Sequence, residues 1–116
     1  MTLETDLYTA LRGLVSDRVY PDVAPLSTPR PYITYQKVGG TTANFLESVV
    51  VPKTNARVQV NCWADTRLAS AALMKQIEAA IVTSTTLRGF VLSRPICVHE
   101  DELSLYGEFQ DFSIWS

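Results

Sequence analysis

Residues 57–63 read Arg57-Val58-Gln59-Val60-Asn61-Cys62-Trp63, and their alternation decides the architecture. Successive side chains of a strand point to opposite faces, so Val58, Val60 and Cys62 share one face while Arg57, Gln59 and Asn61 share the other. A strand with one apolar and one polar face belongs to a sheet covered on one side, and such sheets are mostly antiparallel. Immediately downstream, Asp65-Thr66 caps a helix whose buried stripe is Ala69, Leu73, Ile77, Ala80 and Ile81. Arg67, Ser70, Lys75 and Glu78 fall mainly on its outer side, and Thr83-Ser84-Thr85-Thr86 ends it. Two strands are predicted beyond it, 88–99 and 106–115, with Pro95 marking an edge or a bulge in the first. The acidic turn Glu100-Asp101-Glu102 lies between them.

Upstream, residues 31–38 (PYITYQKV) are aromatic and β-branched and predict a strand that Gly39-Gly40 ends. Before it, Leu3, Leu7, Ala10, Leu11, Leu14 and Val15 recur at helical spacing, with Thr2 as cap and Glu4 and Asp6 at the dipole's positive end. That helix is expected to stop near Asp17, because Tyr20-Pro21 and then Pro25, Pro29 and Pro31 impose extended backbone. The proline-spaced stretch carries no helix or hairpin signal. The expected fold is α+β, with two helices packed on one face of a mostly antiparallel sheet of four to five strands.

The chain has 116 residues, which predicts a single domain over 1–116, and its 47% hydrophobic and 19% charged residues are globular composition. A net charge of -2, with ten basic residues scattered and never in a run, predicts no sequence-specific nucleic-acid binding. No apolar run approaches the roughly 18 residues of a membrane span. Residues 1–6 are acidic and lack the basic and apolar regions of an export signal, so Cys62 and Cys97 are expected to be reduced thiols.

Chemistry-bearing motifs are sparse. The one histidine, His99, lies two residues after Cys97, so a strand places both on one face near Glu100 and Asp101. A cysteine nucleophile with a histidine base, or a metal held by the two and a carboxylate, can be written for that pair. A buried thiol beside a surface histidine is the commoner outcome, and a structural zinc site would need a fourth ligand. Gly39-Gly40 lacks the lysine and hydroxyl residue of a phosphate loop, and no nucleophile-elbow motif is present. The acidic turn lacks the alternating ligands of a calcium loop. The strand aromatics Tyr32, Tyr35, Phe109, Phe112 and Trp115 have no basic groove around them and are expected to pack. No catalytic, metal or cofactor site is therefore expected.

The segment 39–56 is too long for a tight hairpin and holds Phe45, Leu46 and the run Val49-Val50-Val51, which a solvated loop has no reason to carry. Asn44, Phe45, Leu46, Glu47, Lys53 and Arg57, with Glu100, Asp101 and Glu102, form the expected assembly interface. Phe45 and Leu46 are its apolar anchors, and the charges set register against a neighbouring copy or another assembly protein. The alternative is a β-hairpin arm folded back on its own sheet.

Several stretches together resemble the phage tail-completion family. They are Leu3-Glu4-Thr5-Asp6-Leu7-Tyr8, Arg18-Val19-Tyr20-Pro21-Asp22-Val23-Ala24-Pro25, Pro31-Tyr32-Ile33-Thr34-Tyr35-Gln36, the strand at 57–63, Tyr106-Gly107 and Gln110-Asp111-Phe112-Ser113-Ile114-Trp115. The resemblance spans nearly the whole chain. It implies a virion protein, from a phage or a prophage, that caps the head-proximal end of the tail tube as a ring, six-fold in relatives. Its implied partners are further copies of itself, the tail-tube protein and the head connector or stopper, and no cofactor. A head-side adaptor or stopper is the alternative within that class, and a small cysteine-dependent host enzyme is the alternative outside it.

Overall fold

The strand at the centre of the molecule is β3, Asn55–Ala64, paired along its length on both sides. It belongs to a computed structural model that describes residues 3–39, 55–84, 87, 89–100 and 104–115. On one flank of β3 runs β2, Tyr32–Gly39, and beyond it β1, Val19–Pro21. On the other runs β6, Leu105–Trp115, whose far edge is shared by β4, Phe90–Val91, and β5, Ile96–Glu100. All pairings are antiparallel except β1 with β2, which is parallel.

The alternation in β3 is realised as burial. Ala56, Val58, Val60, Cys62 and Ala64 are buried, whereas Arg57 is exposed and Gln59, Asn61 and Trp63 are half-buried. Register carries the same face across the sheet. Ile33 and Glu108 flank Cys62, Tyr35 and Gln110 flank Val60, and Phe112 lies opposite Val58. Gly39 ends β2 at φ 132°, beside a register shift that lets it oppose Arg57. Only a residue without Cβ adopts that conformation cheaply.

The two helices are α1, Leu3–Leu11, and α2, Arg67–Thr83. Leu3, Leu7 and Leu11 of α1 and Leu73, Met74, Ile77 and Ile81 of α2 join the buried residues of β2, β3 and β6 in one hydrophobic cluster. Helix α2 lies against β3 and β6, and α1 against α2. Thr66 caps α2 as its sequence predicts, its hydroxyl accepting the Ala69 amide at 3.1 Å.

The expected strand number, the end of the first helix and the buried stripe of the second are corrected. The sheet has six strands among the described residues, one more than the upper expected number. The first unforeseen strand is β1, inside the proline-spaced segment, because three residues suffice when Val19, Tyr20 and Pro21 need only line up beside Ile33, Thr34 and Tyr35. The second arises because 88–99 is two strands: residues 92–95 leave the ladder, with Leu92 donating to the Asp111 carbonyl at 2.9 Å and the Ser93 hydroxyl accepting the Asp111 amide at 3.1 Å. The first helix tightens to a 3₁₀ turn at Arg12–Leu14, and Ser16 and Asp17 at positive φ complete its exit. In α2 the buried stripe is Ser70, Leu73, Met74, Ile77 and Ile81, while Ala69 is exposed. Ser70 tolerates burial because its hydroxyl donates to the Arg67 carbonyl at 2.9 Å, and its own carbonyl accepts the Cys62 thiol at 3.3 Å.

Candidate assembly surfaces

Local chemistry sets what the two edges of the sheet present. At the β4–β5 edge, Phe90, Val91, Leu92 and Ile96 are all exposed. Gln110 holds the gap between β4 and β5 from below, its amide donating to the Ser93 carbonyl at 2.9 Å and to Glu78 of α2 at 3.0 Å. The edge is therefore pinned to the body although its side chains face solvent. Exposed apolar strand edges of this kind are characteristic of interaction surfaces.

At the opposite edge, β1 leads into the segment 22–31, from which Val23 and Leu26 project. This segment is braced at several points. Asp22 donates its amide to the Tyr35 carbonyl at 2.8 Å, Thr28 donates to the Pro25 carbonyl at 3.2 Å, and the Arg18 guanidinium donates to the Pro31 carbonyl at 2.9 Å. Arg30 reaches across to Asp65 at 3.2 Å and to the Ser104 carbonyl at 3.1 Å.

Of the interface residues expected from sequence, Arg57 and Glu100 fall within the described part. Arg57 lies on the outer face of β3 and forms an ion pair with Asp111 of its own chain, Nε to Oδ2 at 2.9 Å. Glu100 is exposed at the end of β5. Asn44, Phe45, Leu46, Glu47, Lys53, Asp101 and Glu102 lie outside the described residues. Sequence reading passed over the two exposed edges. The signal for the first was three consecutive apolar residues, Phe90-Val91-Leu92, too short and unbroken for a half-buried strand; for the second it was an isolated Leu26 among prolines and hydroxyl residues.

The cysteines separate sharply. Cys62 is buried against α2, and desolvation pushes its thiol up to about 12, so it stays protonated and unreactive. Cys97 is exposed on β5, opposite Glu108, and the His99 ring lies on Tyr106 with centroids 4.3 Å apart. Burial raises the Glu108 carboxyl, and Arg67 and Lys75 pull it back down. Among the described residues no group of three or more His, Cys, Asp or Glu is placed to hold a metal ion. A maleimide or disulfide reagent at pH 8 is expected to modify one thiol in the native protein and two after denaturation, with mass spectrometry placing the native label on Cys97. Fast native labelling of Cys62 would show that the helix α2 contact opens readily.

The family model described as tail completion protein gp17 matches residues 5–115. The chain belongs to this family. It is thus a structural protein of the phage tail and a component of the virion. A chain in the virion of a native gene transfer agent particle shares the fold, with a TM-score of 0.51 and 17% identity, covering 97% of this chain and 92% of that one. No curated protein matches this chain.

Proposed function

We propose that this tail-completion protein, acting as one domain over 1–116, caps the head-proximal end of the tail tube and joins tail to head as a ring of six copies. The observation that carries the proposal is the family match over 5–115. The two open apolar edges support it, since a monomer working alone has no use for them. In this reading the protein acts by binding, with the tail-tube protein on one side and the head connector or stopper on the other, and it catalyses nothing. Assembly takes place in the cytoplasm of the bacterial host.

The interface in this proposal includes Asn44, Phe45, Leu46 and Glu47, with Lys53, Arg57, Glu100, Asp101 and Glu102 supplying charge. A phage or prophage lacking the gene is expected to release filled heads and unjoined tails, and the purified protein to restore joined particles when added to that lysate. Negative-stain images of the added protein bound to tails should show a ring at one tail end. Binding to heads alone would favour the head-side adaptor. Phe45→Ser is expected to keep the monomer's melting temperature within a few degrees while abolishing joining. A steep fall in melting temperature would place Phe45 in the molecule's own core, where truncation costs about 3 kcal/mol.

A further inference from the structure

We propose that adjacent copies meet head to tail, the exposed β4–β5 edge of one copy receiving the Val23–Leu26 turn of the next. This rests on the ring reading above and names the surfaces that build it. A closed ring of identical chains with more than two members needs a heterologous interface, made of two different patches on each chain. The sheet order places two such patches at its opposite edges, with β1 at one and β4 and β5 at the other.

Both patches are apolar where solvent would favour polar residues. Leu26 is 98% exposed and Val23 79%, while Phe90 is 53% and Ile96 52%. A leucine with almost its whole surface in water contributes nothing to its own chain, and removing such a side chain from water favours association. The turn that carries it is held before any partner arrives, by the Thr28 amide on the Pro25 carbonyl and by the prolines around it. Little conformational entropy is then lost on docking.

The charges fit as well. Exposed Asp22 precedes Val23, and exposed Arg94 sits between β4 and β5. Head-to-tail contact brings opposite signs together, whereas an edge-to-edge two-fold contact would face Arg94 with its own copy.

Exposed Cys97 on β5 supplies a built-in reporter, because Cys62 is buried and unreactive. In Leu26→Cys, treatment of assembled protein with a short bismaleimide is expected to give a ladder of covalent dimers, trimers and larger species. Neither the wild type nor Leu26→Cys combined with Cys97→Ser should give one. A second test uses Leu26→Asp and Ile96→Asp. Each alone is expected to remain monomeric with a melting temperature close to wild type, and an equimolar mixture to form dimers through the one intact pair of surfaces. Rings without a ladder would overturn this inference and leave the ring reading standing. Cross-linked dimers in the wild type would overturn it in favour of a two-fold edge contact. Monomers under all conditions, including on isolated tails, would overturn both.

Discussion

Val60→Asp is expected to leave the chain largely unfolded at room temperature. Val60 is fully buried at the middle of β3, with Tyr35 on one side and Gln110 on the other in register. A carboxylate there has no cation within the hydrophobic cluster that surrounds it. It must either stay charged in a medium that cannot solvate it or take up a proton at a cost. Either route costs about 4 kcal/mol or more, a large share of the roughly 5–15 kcal/mol that holds such a domain together. Asn61→Asp, one residue on, points to the half-buried outer face, and the loss should stay near 1 kcal/mol or below. Circular dichroism melts of the two variants decide this. Equal damage would mean that the outer face of β3 is covered as fully as the inner one.

Gly107→Ala is expected to lower stability by about 2–3 kcal/mol, or roughly 10 °C in melting temperature. A Cβ built at Gly107 would sit 2.6 Å from the Trp63 ring and 2.8 Å from the Cys62 carbonyl oxygen. The ring taken alone can swing aside, but the carbonyl belongs to β3 and cannot move without parting β3 from β6. Trp63 is also tied to β2, its indole N–H donating to the Thr34 hydroxyl at 3.4 Å. Gly13→Ala is the internal control. Apart from its chain neighbours and the backbone of its own helical turn, no atom lies within 4 Å of a Cβ there, and replacing glycine in a helical turn should be neutral or stabilising by up to about 1 kcal/mol. Thermal melts that rank the two variants in the opposite order would refute the packing described at Gly107.

The elements legible in the sequence are those whose stability is decided within a few residues. The alternation at 57–63 predicted the buried face of β3, and Thr66 predicted the start of α2. The aromatic run before Trp115 predicted β6. Each of these rests on a period or a cap that any neighbour of the right polarity can satisfy. Strand β1 was not legible, because three residues with a proline among them carry no period. Their place in the sheet depends on β2 already being there. The break at 92–95 was half legible: Pro95 signalled an edge, but the hydrogen bonds that hold the gap come from Asp111 and Gln110, far along the chain. The placing of Ser70 inside and Ala69 outside depended on how α2 is turned against β3 and β6, distant strands that no local pattern in the helix records.

The same division governs the candidate site. The sequence by itself determined the α+β class, the polarity of the two faces of β3, the scarcity of catalytic motifs and the likeness to tail-completion proteins, because local period, composition and residue order express these directly. Only the tertiary structure decided that Arg57 is paired with Asp111 and that Cys97 is an exposed thiol. It alone decided that Leu26 and Ile96 stand exposed at opposite edges. Exposure is a property of the space left over once every strand has found its partner, and that space is set by pairings between residues distant in the chain, which no local pattern encodes.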